Sequence, residues 1–449
     1  MAKPDLIKES LWKLMYKLSL PGILGMMVIS INSIIDTVYL GNLVGTDALA
    51  GVSLLFPITL IITSVTSFIA VGSSSVLSRA IGKGNQHIQS KVLPNLIAMA
   101  LLSSLFLMLT GYLFGEDAVL LLGAKGEIVK ICLDYLYVYI IGIFFSIYGL
   151  SANGLIRSEG KVKQAMIYTV IAVICNLILT PVFIDSFQLG VKGAAWSSVI
   201  SMFVYNLLTT IYFVRKKATF EVGVLIIKIE KEIVIDVAKI GFSALVMQVS
   251  NVIRQFIIFR TVTWYGNTHD LAVFSTIFKI FSFVSVPTMG LLQPLQPVVG
   301  VNFGAANWDR CIQAVKTFRL SGIVLMLFLL LPIWLFPEFI INLILPNETL
   351  SIVELNYLKI ILLALPFLPI STSSIIFFQA IGNAKKAGLV PLLRQILLFL
   401  PLILIIPYLN GLNGIYYSLL VENFLYASIL WMLFNIETQK MKSQIAAKN

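Results

Sequence analysis

The residue whose chemistry stands out most is Asp36, in the stretch INSIIDTVYLG that begins at Ile31. Its surroundings are apolar enough for a membrane helix, and a charged side chain at the centre of such a helix costs about 2.5–3.5 kcal/mol. Asn32 and Ser33 precede it by four and three residues, so all three side chains share one helical face. A carboxylate in this setting is a candidate carrier of H⁺ or Na⁺, because desolvation favours its neutral form.

The elements that must hold Asp36 follow from the composition of the chain. Of its 449 residues, 58% are hydrophobic and only 12% are charged, and the mean hydropathy is +0.95. A soluble domain carries about 25% charged residues, so the surface of this chain could not be covered in water. Apolar runs long enough to cross a bilayer, about 20 residues each, recur along the sequence. We therefore predict an all-α polytopic membrane protein.

The predicted membrane helices number twelve, and Asp36 lies near the outer end of the first. They are expected near residues 18–41, 50–79, 92–114, 128–155, 164–186, 190–214, 238–264, 269–300, 312–336, 352–381, 386–408 and 411–434.

The 32 Lys and Arg residues are concentrated in alternate connections, such as Arg79 to Lys91, Arg157 to Lys163 and Arg215 to Lys239. The intervening connections hold few, among them Lys125 and Lys192. Basic residues accumulate on the cytoplasmic side of a membrane, so we expect both termini in the cytoplasm of a multi-pass protein of the plasma (inner) membrane. The net charge of +11 is then a topology signal, and nucleic-acid binding is not expected.

A polar linker at about 215–237 divides the chain into two predicted six-helix lobes, 1–218 and 219–449. Sliding the sequence against itself by 222 residues aligns DALAGVS with HDLAVFS and GKGN with GAAN. Six helices is an even number, so both lobes share one orientation, as in a parallel pseudo-two-fold repeat. Transporters commonly bind substrate between two such halves and use alternating access.

The repeat does not carry a second copy of the carboxylate. At the same offset Asp36 meets Ile258, and Asn32 meets Arg254. Ion coupling is therefore expected in the N-terminal half.

Several motifs resemble the multidrug and toxic compound extrusion (MATE) family, and the resemblance covers the whole chain in order. The most specific are IIDTVYLGNLVGTDALAGVSLLFPI, similar to the first helix of that family, and GLLQPLQPVVGVNFGAANWDR, similar to the eighth. The resemblance implies a twelve-helix, two-lobed antiporter that exports amphipathic drugs, often organic cations, in exchange for Na⁺ or H⁺. The wider superfamily also contains flippases, so a lipid-linked saccharide flippase is the alternative.

The resemblance also implies partners for Asp36, since the family often clusters this residue with an Asn and an Asp on the fifth helix and a Thr on the sixth. Asn176 matches the Asn, and Thr180 stands where many members have the Asp. Ser198 stands at the Thr position. The implied ion-coupling site has a single carboxylate, which favours H⁺ slightly over Na⁺ and leaves Na⁺ possible at Asp36. No other metal and no cofactor are expected.

The C-terminal half is more basic. Either Arg254 or Lys279 faces the substrate cavity and favours anionic or zwitterionic cargo, or these side chains pair with Glu422 or extend to the membrane interface, which is the reading we favour. Arg394 and Gln395 are expected at the interface. The residues predicted to line the substrate cavity are Asn32, Met26, Phe68, Arg254, Lys279 and Gln296.

The remaining chemistry-bearing residues do not suggest an enzyme. The sequence contains no HExxH, GxSxG or GxxxxGK[ST] motif, its three cysteines are far apart, and its two histidines lie in predicted loops. We predict a monomeric transporter whose partners are a small-molecule drug, H⁺ or Na⁺, and the bilayer.

Overall fold

A computed structural model describes residues 5–223, 229–338 and 351–446 of the chain, with side chains up to residue 443. Within these residues the secondary structure is entirely helical, as the composition predicts. Part of the predicted linker, 224–228, lies outside the described residues.

The N-terminal half of the chain contains eight α-helices. They are α1 (Leu11–Tyr39), α2 (Thr46–Leu54), α3 (Phe56–Lys83), α4 (Gln86–Leu121), α5 (Glu127–Ile141), α6 (Ile143–Ser158), α7 (Val162–Pro181) and α8 (Gly190–Val214). Two π-helical turns extend α1 and α7, at Leu40–Val44 and Val182–Ser186.

The described C-terminal half has the same kind of elements. They are α9 (Lys231–Tyr265), α10 (Thr268–Leu292), α11 (Leu295–Gly304), α12 (Trp308–Leu335), α13 (Ile352–Leu362), α14 (Leu368–Ala380), α15 (Ala384–Leu393) and α16 (Leu400–Ala446). A third π-helical segment, Arg394–Phe399, joins α15 to α16.

Twelve membrane spans are present in the described part of the chain. Ten helical segments are long and apolar enough to cross a bilayer, and the pair α5 and α6, bent by 50°, adds an eleventh. The segment Ala384–Ser443 has 60 residues, which as a straight helix would be about 90 Å long, three times the hydrocarbon thickness. It breaks at Gly411, where φ is 60° and ψ is −142°, a conformation that glycine adopts readily, and so forms two spans.

Two compact units make up the described chain. The first unit contains Leu24–Leu245, whereas the second contains Leu6–Ile23 and the chain from Val246 onward. The first half of α1 thus packs with the second unit, and the first half of α9 packs with the first. The changes of unit at 23/24 in α1 and at 245/246 in α9 fall inside helices. The predicted lobe boundary at 218/219 stays a prediction.

Glycines permit this exchange of helix halves. A Cβ on Gly22 of α1 would lie 2.3 Å from the Gly290 carbonyl oxygen of α10, within the second unit. A Cβ on Gly241 of α9 would lie 2.2 Å from the Phe68 carbonyl oxygen of α3, within the first unit. At both places two helix backbones approach too closely for any larger residue.

Candidate functional site

Asp36 lies near the end of α1, half-buried among amides rather than against another acid. Asn32 Nδ2 donates a hydrogen bond to Asp36 Oδ2 over 2.9 Å. The amide of buried Asn176, on α7, reaches the same carboxylate, and with its nitrogen turned toward Asp36 it donates to Oδ1 over 3.0 Å. The structure therefore brings Asp36 and Asn176 of the predicted ion-coupling site together with Asn32, which is predicted to line the substrate cavity.

Buried hydroxyls continue this polar cluster away from Asp36. Ser197 Oγ, on α8, lies 3.4 Å from the Asn176 amide and 2.8 Å from Thr180 Oγ1. The Thr180 hydroxyl also donates to the Asn176 carbonyl oxygen over 2.8 Å. Thr180 is thus part of the cluster, as predicted.

Ser197, and not the predicted Ser198, is the serine that contacts Asn176 and Thr180. One residue turns a helical side chain by about 100°, and the Ser198 hydroxyl instead donates to the Ala194 carbonyl oxygen over 3.2 Å. Sequence reasoning missed Ser197 because two adjacent serines match the motif equally well.

Two of the three π-helical segments follow this cluster directly. Leu40 lies one turn beyond Asp36, and Ile184 lies one turn beyond Thr180. Leu40, Ile184 and Ala194 of α8 form a small buried apolar cluster next to the polar one. Widened π turns occur often at functional sites, where they re-aim side chains within a helix.

The other predicted cavity residues of the first unit are less informative. Met26 is half-buried on α1. Phe68 is half-buried, packs against the core of the first unit and contacts Gly241 of α9. Their assignment to a substrate cavity stays a prediction.

A second polar cluster, in the second unit, has the opposite charge. Glu422 of α16 is fully buried and receives a hydrogen bond from Arg254 Nη2 of α9 over 2.7 Å. Arg394 approaches the same carboxylate with Nε and, over 3.1 Å, with Nη2. The favoured prediction that Arg254 pairs with Glu422 is confirmed.

Arg394 is buried and does not start a helix, and its predicted place at the membrane interface stays a prediction. Only 14% of its side chain is exposed, and its guanidinium carbon lies 4.1 Å from the centroid of the Tyr426 ring. Its Nη2 also donates to Asn423 Oδ1 over 3.2 Å. The third π-helical segment begins at this residue, so it lies inside a continuous helical path rather than at its start.

Arg254 and Arg394 line a cavity of about 290 Å³ within the second unit. Apolar and polar side chains share the wall, among them Phe278, Phe281 and Asn251. Lys279 is exposed and does not line this cavity. Gln296 is half-buried on α11, and its predicted cavity role stays a prediction.

Twelve apolar spans that hold ionisable clusters at membrane depth define a polytopic membrane protein of the transporter class. Comparison with known proteins makes the class specific. The family model MatE matches residues 21–182 and 243–405, so the chain belongs to the MatE family. The resemblance seen in the motifs is thereby confirmed.

Relatives and solved structures extend the match to nearly the whole chain. Multidrug export protein MepA of Staphylococcus aureus (strain bovine RF122 / ET3-1) is 25% identical over 421 residues, 94% of this chain and 92% of that protein. MepA of Staphylococcus saprophyticus subsp. saprophyticus is 25% identical over 415 residues, 92% and 91% of the two chains.

Among structures, one described as an "Outward-facing conformation of a multidrug resistance MATE family transporter of the MOP superfamily" has a TM-score of 0.90 at 23% identity, covering 98% of each chain. One described as "MATE in the bent conformation" has a TM-score of 0.92 at 24% identity, again over 98% of each chain. These structures establish the fold.

Proposed function

We propose that the chain is a cation-coupled antiporter that exports small amphipathic drugs, organic cations among them, by alternating access. Membership of the MatE family and the names of the MepA relatives support drug export. Ion coupling is supported mainly by Asp36, a half-buried carboxylate within a membrane span. Asn32 donates a hydrogen bond to this carboxylate, and the Asn176 amide lies within hydrogen-bonding distance of it. Such a group is functional far more often than structural.

The two amides can serve both ionisation states of Asp36. With nitrogen toward the carboxylate, Asn176 donates to Oδ1 over 3.0 Å. Rotated by half a turn, the same amide presents its oxygen at that distance and accepts a hydrogen bond from a protonated carboxyl. Protonation therefore requires only an amide rotation in the immediate surroundings of Asp36.

The coupling ion in this proposal is H⁺ or Na⁺, and a single carboxylate favours H⁺. A lone acid needs only desolvation to become a proton carrier, whereas Na⁺ would have to be held by one charge plus amide and hydroxyl oxygens. One charge that moves through 100 mV supplies about 2.3 kcal/mol, a concentration ratio of roughly fifty. Neutralised Asp36 changes the packing of the end of α1, drug binding weakens, and the drug leaves.

The orientation in the membrane completes the proposal. Both termini lie in the cytoplasm, and a monomer in the plasma (inner) membrane carries out transport. The basic connections, which alternate along the chain, support this orientation.

The alternative of a lipid-linked saccharide flippase keeps one supporting observation, the two arginines that line the cavity of the second unit. Glu422 neutralises one of those charges. Apolar side chains such as Phe278 and Phe281 share the wall, which suits an amphipathic molecule better than a saccharide headgroup. Small-molecule export is therefore favoured.

Transport in proteoliposomes tests the proposal. Wild-type protein should expel ethidium when an inward H⁺ or Na⁺ gradient is imposed, and Asp36→Asn should abolish this gradient-driven flux while the protein still folds. Asp47→Asn makes the same chemical change at an exposed residue in the first turn of α2 and should transport as the wild type does. Gradient-driven export at the wild-type rate by Asp36→Asn would disprove the coupling scheme.

A further inference from the structure

We propose that the cavity of the second unit is a binding site for the carboxylate group of a small aromatic molecule. The inference deepens the proposed function, since it rests on small-molecule export to give the site a use. The binding itself can be measured without any transport.

The cavity has an uncompensated positive charge. Among the residues that the structure describes, Arg254 and Arg394 are the charged ones that line the cavity, and Glu422 lies behind them with no exposed surface. Two guanidinium groups share one carboxylate, which leaves a net charge of +1 on the cluster. In the low dielectric of a membrane protein such a charge is costly unless an anion approaches it.

Arg254 also has a donor that its protein partners leave unused. Its Nη2 is bonded to Glu422, but its buried Nε has no acceptor among the described residues. A buried donor without a partner costs about 1–3 kcal/mol. Because a guanidinium carries five N–H donors in a planar arrangement, Arg254 can hold Glu422 and a second carboxylate at once.

The rest of the cavity suits an aromatic body. Its apolar wall includes Met247, Ile258, Phe278, Phe281 and Met289. Asn251, Ser285 and Thr372 add neutral polar groups. A volume of about 290 Å³ lies at the small end of ligand pockets, which favours a molecule of one or two rings.

Arg319 of α12 provides a contrast, because protein side chains enclose its guanidinium group and it faces no part of the cavity. It is 3% exposed, and it donates to the Ser373 and Ser374 hydroxyls over 3.0 and 2.9 Å. The rings of Trp431 and Phe434 cover it, with centroids 4.9 and 4.5 Å away. Arg319 lines no part of the cavity, whereas Arg254 and Arg394 both do.

Equilibrium binding to purified protein in neutral detergent tests the site with three naphthalene probes of similar size. 2-Naphthoate should bind, while 2-naphthamide and 2-naphthylmethylammonium should bind at least about tenfold more weakly, because a charge-assisted hydrogen bond is lost. Equal affinity for the carboxylate and the amide would overturn the proposal with no variant needed.

Two variants test whether 2-naphthoate binds in this cavity. Arg254→Gln should weaken 2-naphthoate about tenfold or more, whereas the matched control Arg260→Gln, an exposed arginine on the same helix, should change it less than about twofold. If Arg254→Gln fails to fold, Met289→Trp, which fills the cavity from a partly exposed position, should abolish binding. Unchanged affinity in a folded Arg254→Gln or in Met289→Trp would refute the assignment.

Two further measurements distinguish the proposed site from a lipid-binding site and from the ion-coupling site. Affinity for 2-naphthoate should be the same in nanodiscs of phosphatidylcholine alone and in nanodiscs containing phosphatidylglycerol. Loss of binding in the anionic discs would assign the site to a lipid headgroup and overturn the proposal. Asp36→Asn should bind 2-naphthoate as wild type does, so failure of the coupling scheme leaves this measurement intact.

Discussion

The two polar clusters of this protein occupy equivalent places in the two halves of the chain, yet they carry opposite charge. The cluster of the first unit is built by α1, α7 and α8, and that of the second by α9, the π-helical segment after α15, and α16. At the offset of 222 residues Asn32 corresponds to Arg254. Polar groups therefore occur on corresponding helices of both halves, and the net charges of the two clusters have opposite signs.

The two carboxylates also differ in their freedom to change charge. Asp36 is half-buried, and its neighbours are amides that can rotate to suit either ionisation state. Glu422 has no exposed surface and lies between two guanidinium groups, which hold it in the ionised form. This difference supports the proposal that ion exchange takes place in the first unit and that the charge in the second is fixed.

The largest expected effect tests the fixed charge. Glu422→Gln leaves two buried guanidinium groups without their counterion and should lower the free energy of unfolding by about 3–5 kcal/mol. Asp36→Asn keeps the shape and most hydrogen bonds of its site, so it should cost less than about 1 kcal/mol. Denaturation in detergent followed by tryptophan fluorescence measures both variants.

Asp236→Asn provides the control for that comparison. Asp236 pairs with Lys239 across 3.7 Å, and more than half of each side chain is exposed, so the loss should be at most about 1 kcal/mol. If Glu422→Gln were no more destabilising than Asp236→Asn, the contrast between the two clusters would be lost.

A second carboxylate in the first cluster should sharpen its choice of ion. Thr180→Asp adds an acid to the hydrogen-bonded chain that contains Asn176 and Ser197, and two nearby carboxylates attract a cation more strongly than one. We expect Na⁺-driven efflux to rise on the order of tenfold in proteoliposomes at constant pH. Thr46→Asp, at the exposed start of α2, should leave the Na⁺ dependence unchanged. No gain for Thr180→Asp would show that the charge of this cluster does not select the ion.

The smallest effect distinguishes the two neighbouring serines of α8. Ser197→Ala removes the hydroxyl that contacts both Asn176 and Thr180. It should slow gradient-driven efflux roughly two- to fivefold, because the free energy of about one hydrogen bond is lost. Ser198→Ala should change efflux less than about twofold. The reverse order of effects would place Ser198, not Ser197, in the cluster that serves Asp36.

The sequence predicts the membrane spans well, because about 20 consecutive apolar residues leave few alternatives to a spanning helix. It also leads to Asp36 on α1, through its setting in an apolar run, and to Asn176 and Thr180 on α7, through the position of each in the motif that resembles the family. The Arg254–Glu422 pair is predictable for a simpler reason, since a buried charge needs a partner of opposite sign.

Other features depend on tertiary structure that no local pattern encodes. Ser197 and Ser198 differ by about 100° around α8, a distinction that only packing resolves. Arg394 stands beside an apolar run like any interfacial arginine, and its burial depends on Glu422, which lies 28 residues further on. The exchange of helix halves between the units depends on close backbone contacts at Gly22 and Gly241, far away in sequence from their partners.

Ion release during drug binding tests the central claim most directly. In weakly buffered detergent solution, saturation of wild-type protein with ethidium should release about one H⁺ per protein or, at fixed pH, about one Na⁺. The reason is that the drug and the coupling ion each weaken the binding of the other. Asp36→Asn should bind the drug and release neither ion. Equal ion release by the wild type and Asp36→Asn would contradict the claim that Asp36 carries the exchanged charge.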